Sequence, residues 1–153
     1  MNDSLSIIGN SIPATSEETI DKIRLLEDEI RKHEQIEFRT EHVFHAGMYA
    51  RTVRIPAGNL FTSVLIKCPT LIILNGVCDV LSGDSGVLIE GYNVIPAGAG
   101  RKTVYFTRTD IELTMIFPSS AKTVEEAESQ FTDEVESLLS RTNNDDIVTI
   151  TGE

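Results

Sequence analysis

Three groups of residues in this chain have the types needed for chemistry. Glu41, His42 and His45 offer a carboxylate and two imidazoles, a donor set suited to a first-row transition metal. A His-x-x-His spacing puts both rings on one face of a helix but on opposite faces of a strand, and the residues around it read as strand. The three therefore stand as an alternative metal site, against a plain reading as surface or hydrogen-bonded side chains. The remaining histidine, His33, falls in a helical stretch. The second group is cationic. Along 45 to 55 the odd positions His45, Gly47, Tyr49, Arg51, Val53 and Ile55 share one face, and Val53 and Ile55 mark that face as the inner one. A buried arginine needs a carboxylate, carbonyls or an anionic ligand. Arg101, with Lys102 beside it and Tyr105 a step further in, supplies a second cation. These residues predict a pocket for a small polar or anionic molecule lined by Tyr49, Arg51, Lys67, Arg101 and Tyr105. The competing expectation pairs Arg51 with an internal acid, Asp79, Asp84 or Glu90. The third group is Cys68 alone, which has no base visible in the sequence and stands before Pro69, a poor setting for a nucleophile.

The elements that position these groups follow from periodicity. Residues 1–14 read as an extended arm. Thr15 with Glu18 forms a capping box, and Ile20, Ile23, Leu26 and Ile30 recur at helical spacing, so a helix is expected over 16–34 within a 15–35 segment. Its acidic start and basic end (Arg31, Lys32, His33) complement the helix dipole. From 36 to 118 the pattern is β. Short apolar segments at about 43–45, 48–55, 60–66, 70–74, 77–81, 86–90, 92–95, 102–106 and 111–116 alternate with turns. Asn75-Gly76 is the strongest hairpin signal and Ser82-Gly83-Asp84-Ser85-Gly86 the next. The phrase Ile-Pro-Ala-Gly occurs at 55–58 and again at 95–98, each copy a Pro/Gly corner between strands. Many short strands at this spacing mean a sandwich or a barrel. A second capping box, Thr123 to Glu126, opens a helix expected to run to about Ser140 within a 119–140 segment, with Val124, Ala127, Phe131, Val135 and Leu138 as its stripe. Residues 141–153 read as a loose polar tail, with the β-prone Ile147-Val148-Thr149-Ile150 able to add an edge strand to a neighbour.

A chain of 153 residues suits one domain. Its 24 acidic and 13 basic residues leave a net charge of −11, which argues against nucleic acid or an anionic membrane surface as partner. No apolar run approaches the roughly 20 residues that span a bilayer, and the N-terminus lacks a basic secretory start, so a cytoplasmic location is expected. Cys68 and Cys78 in apolar segments read as free thiols.

The run Ile55-Pro-Ala-Gly58, two strands to Asn75-Gly76, then Gly91-Tyr-Asn-Val-Ile-Pro96-Ala-Gly98 and a closing strand through Phe117 resembles the two consecutive motifs of the cupin family. More narrowly, His42-Val-Phe44-His45-Ala-Gly47-Met-Tyr49-Ala-Arg51 leading into Ile-Pro-Ala-Gly, with Thr123-Val-Glu-Glu-Ala-Glu128, is similar to small cupin-like proteins encoded by tailed bacteriophages. The resemblance covers about residues 20–139. It implies a mainly β, single jelly-roll barrel flanked by N-terminal and C-terminal helices, commonly paired as a homodimer. It also implies where a cupin enzyme holds its metal, with histidines and a carboxylate from the first motif and one histidine from the second. On this chain those positions fall at Ile66, Cys68, Thr70 and Arg101, none of them a convincing ligand. The expected protein is a non-catalytic, metal-free, degenerate cupin without a cofactor. Its partner is a small polar or anionic molecule or a host protein, sequestered or blocked in the host cytoplasm. The alternatives are an isomerase- or dioxygenase-type cupin enzyme using His42, His45 and Glu41, and a structural or interaction protein with a filled barrel.

Overall fold

Apolar residues at every second position build eight strands among the residues that the computed structural model describes, 11–82, 85–138 and 146–151. They are β1 (Thr40–His45), β2 (Met48–Ile55), β3 (Leu60–Thr62), β4 (Thr70–Ser82), β5 (Ser85–Ala97), β6 (Val104–Thr107), β7 (Ile111–Pro118) and β8 (Ile147–Ile150). Hydrogen bonding orders them β3-β6-β4-β7-β2-β1-β8 in one sheet, with β5 along the other edge of β4. β4 is the organising strand. Its 70–82 edge pairs with the whole of β5, while its opposite edge is shared between β7 at 71–75 and β6 at 78–81. That division curls the sheet, and two helices, α1 (Glu17–Ile30) and α2 (Val124–Phe131), flank it.

Several expected elements merge or move. Asn75-Gly76 is not a hairpin turn. Both residues lie inside β4, opposite Tyr92 and Gly91, and Gly76 at φ 133° lets Asp110 and Ile111 approach where β7 gives way to β6. The segments expected as 70–74 and 77–81 are therefore one strand, as are 86–90 and 92–95. The chain reverses instead between the paired Ser82 and Ser85. The first Ile-Pro-Ala-Gly is a true corner, with Gly58 at φ 80° and its N–H bonded to the Thr107 carbonyl at 2.7 Å. In the second, Pro96 and Ala97 finish β5, and the turn is delayed to Gly100 at φ 79°.

At α1 the cap is Ser16, whose hydroxyl accepts from the Thr19 N–H, while Thr15 is buried and bonds both backbone groups of Lys102. α1 stops at Ile30, so Arg31, Lys32 and His33 lie past its last turn. α2 has the expected cap, Thr123 accepting from the Glu126 N–H. It ends at Phe131 because Thr132 is extended, and a 3-10 turn at Val135–Ser137 brings Leu138 back into the core. Residues 1–10 of the expected arm lie outside the described residues, but Ile12 is buried and bridges Ala97 at the edge of β5. The tail is not loose at 147–150: β8 pairs in parallel with β1 of its own sheet.

Two apolar clusters hold this frame. One lies inside the curl, around Ile55, Ile72, Leu74, Ile89, Ile95 and Tyr105. The other lies under α2, where Phe44, Tyr49, Phe117 and Phe131 meet as an aromatic group. Each fully buried large side chain contributes roughly 1.5–3 kcal/mol. Cys68 and Cys78 are free thiols.

Candidate functional site

The inward parity of β2 delivers Arg51, Val53 and Ile55 to the wall of a cavity of about 160 Å³. β7 adds Leu113 and Met115, β6 adds Tyr105, and α2 with the following turn closes one side through Phe131 and Leu138. At the floor stands Arg101. Its backbone is paired with Ile66, and its side chain is 2% exposed. The guanidinium donates from Nη1 to the Gly98 carbonyl at 2.9 Å and from Nη2 to the Thr70 hydroxyl at 2.7 Å, with the Met115 sulfur at 3.7 Å. All three partners are uncharged, and among the described residues no carboxylate pairs with it. Burial pulls its pKa down, yet a guanidinium keeps its proton at any ordinary pH.

Arg51 has a different setting. It donates to Glu128 Oε2 at 3.1 Å and lies 5.4 Å over the Phe131 ring. Among the described residues its acid is Glu128, not Asp79 or Glu90; Asp79 pairs with Arg108, and Asp84 lies outside the described residues. Glu128 was missed by sequence reasoning, although it follows Val124 by four residues on the same helix face as Phe131 and so placed a carboxylate on the buried side.

The structure gathers Arg51, Arg101 and Tyr105 around the cavity and leaves Tyr49 and Lys67 outside its lining. Tyr49 is wholly buried in the aromatic group, where burial pushes its hydroxyl up to about 12. Lys67 points to solvent and pairs with Asp133 at 2.6 Å. Lys102, next to Arg101 in sequence, faces the other way; buried, it meets Glu27 at 2.8 Å and the Ser63 carbonyl at 2.9 Å.

The alternative metal set does not gather. His42 turns inward, its Nδ1 2.7 Å from the Tyr49 hydroxyl and its Nε2 3.0 Å from Asp146. Glu41 and His45 turn outward, the first to Arg54 and the second to Thr151. Burial pushes the His42 imidazole below its usual value, only partly offset by the Asp146 carboxylate. The positions where a cupin holds its metal do not fit one either. The Ile66 side chain is apolar, the Thr70 hydroxyl is engaged by Arg101, and the guanidinium puts a fixed positive charge beside any cation. No group of three His, Cys, Asp or Glu side chains converges among the described residues.

No family model matches the chain, and no curated protein matches it. Solved structures do resemble it in outline. A cupin superfamily protein from Desulfitobacterium hafniense aligns at 11% identity over 57% of this chain and 83% of its own, with a TM-score of 0.46. A cupin 2 conserved barrel domain protein from Salinispora arenicola aligns at 11% identity over 65% of this chain and 92% of its own, TM-score 0.45. A cupin-2 domain protein from Shewanella frigidimarina aligns at 12% identity over 61% and 91%, TM-score 0.41. The chain itself is mainly β, a curled sheet flanked by two helices. None of its described helices is long and apolar enough to cross a membrane.

Proposed function

We propose that this chain is a non-catalytic binding protein that takes a small anionic ligand into the barrel cavity, with Arg101 as the anchor. One observation carries the reading: a guanidinium 2% exposed, facing a cavity, with only uncharged partners among the described residues. A buried charge left without a counter-charge is costly, and an anion entering the cavity removes that cost. A catalytic role has little support in the same lining. Its titratable hydroxyl, Tyr105, is pushed up to about 12 by burial and so stays protonated, far from the range of a working base. The reading needs no cofactor. The resemblance of 42–58 and 123–128 to phage-encoded proteins supports a phage setting, in which binding would sequester a host molecule.

Native mass spectrometry of the protein as isolated tests this. A small acid retained by the wild type and absent from Arg101→Gln supports it; a protein released bare from cell extract and unchanged by added organic acids counts against it.

A second feature favours self-association. Strand register lines up two rows on the outer face, Val43-Ala50-Ile116-Leu71-Pro96 and Thr52-Thr114-Ile73-Val94, uncharged except for Glu41 at the β1 end of the second. Copies of a chain with net charge −11 repel one another, and most weakly across such rows, so we assign this face to a second copy stacked sheet on sheet. Sedimentation should show a dimer that Leu71→Glu with Val94→Glu converts to monomer; a wild-type monomer at micromolar concentration removes the assignment.

A further inference from the structure

We infer that the ligand is an aromatic monocarboxylate whose body is about the size of a benzene ring. This rests on the reading of the cavity as an anion site and narrows it by charge, size and lining. Two guanidinium groups reach the cavity, but Glu128 already neutralises Arg51. Among the described residues one positive charge, that of Arg101, is left to be matched. A dianion such as phosphate would bring a second negative charge with no second unmatched cation in the described lining to meet it. A guanidinium has five N–H donors, and here two hydrogen bonds to oxygen and one sulfur contact engage it. The Nε–H and one Nη1–H remain, each able to give a carboxylate oxygen a single charge-assisted hydrogen bond.

Size sets the body of the ligand. The cavity is about 160 Å³, and an apolar cavity of about 150 Å³ holds one benzene molecule. The wall is mostly aromatic and aliphatic, with Phe38, Phe131, Val53, Leu113 and the stacked pair Phe61 and Tyr105, ring centres 4.8 Å apart, beside the hydroxyl-bearing Thr62, Ser63 and Ser137. Such a wall offers a sugar or another polyhydroxylated molecule few partners for its hydroxyls, whereas a flat ring can lie against it. There is also a way in. Phe38, Phe61, Thr62, Val64 and Ser137 line both this cavity and a wider cleft of about 600 Å³ beside the end of α1.

Calorimetric titration of the full chain with benzoate, benzyl alcohol and inorganic phosphate tests the class. Benzoate should bind one per chain, benzyl alcohol roughly 10- to 100-fold more weakly, the range expected for losing a charge-assisted contact, and phosphate not at all. Arg101→Gln should weaken benzoate by a similar factor and leave benzyl alcohol unchanged. Because removing a buried cation alters packing, Leu113→Trp provides a second variant, filling the cavity while keeping Arg101; it should abolish both aromatic ligands. If phosphate binds in an Arg101-dependent way and benzoate does not, the aromatic class is overturned and the anion site stands. If no anion binds, or if benzoate binds equally to both variants and the wild type, the site and the class fall together.

Discussion

Arg51 and Arg101 lie in the same cavity wall with opposite prospects, because one has a buried carboxylate and the other has none among the described residues. Glu128 is wholly buried, so Glu128→Gln removes a buried charge partner of Arg51; unfolding by urea should show a loss of about 3 kcal/mol. His42 makes a separate prediction. Its folded pKa is lowered by burial below the ordinary 6.5, so the unfolded chain takes up a proton first as pH falls. The stability it confers is complete above about pH 6.5 and drains away as pH drops through the lower, folded value. The urea midpoint should therefore fall on acidification below pH 6.5, and His42→Gln should flatten that slope. At this scale strand parity was informative: it put Arg51, Val53 and Ile55 on the inward face, where they line the cavity. It did not separate Tyr49, on the same parity, which sits beyond the cavity in the aromatic group, because parity says which face a residue takes and not what covers it.

Among the elements, β4 shows most clearly what local sequence conceals. Asn-Gly is a strong turn signal in isolation, yet the pairing of 13 residues with β5 outweighs it and keeps the strand running. The glycine is still needed. A Cβ at Gly76 would come within 2.8 Å of the Asp110 carbonyl oxygen and of Ile111 Cγ2, and φ is 133°. Gly76→Ala should destabilise by about 2 kcal/mol or more, whereas Gly58→Ala, at φ 80° with open space around it, should cost about 1 kcal/mol; thermal unfolding of the two variants compares them. The helix starts were legible because caps are local: Thr123 with Glu126 is found as expected, and the first cap moves by one residue to Ser16. The helix ends were not, since extended Thr132 and the return of Leu138 to the core depend on what α2 packs against. The β-prone character of 147–150 was legible but its partner was not, for the same reason: β1 is about 100 residues away in the chain.

For the whole molecule, the acidic balance bears on how the proposed ligand would arrive. A net charge of −11, with Glu27, Glu34 and Glu136 outnumbering Arg31 on the cleft, opposes an approaching anion before Arg101 can attract it. Salt screens that opposition, so the association rate of benzoate should rise a few-fold between about 10 and 150 mM salt, as read by stopped-flow; a fall would mean that a basic surface steers the ligand. The overall class of fold was the most legible level, because the periodicity of short strands between two capped helices survives every error in strand boundaries. What decides the function is the pairing of buried charges across elements distant in sequence. The most direct measurement is the melting temperature of the wild type and of Arg101→Gln across a series of benzoate concentrations. A ligand that binds only the folded chain raises the wild-type value steadily with the logarithm of its concentration. That rise is expected in the wild type, and in the variant the same rise displaced to roughly 10- to 100-fold higher benzoate; an equal rise in both, or none in the wild type, would contradict the assignment.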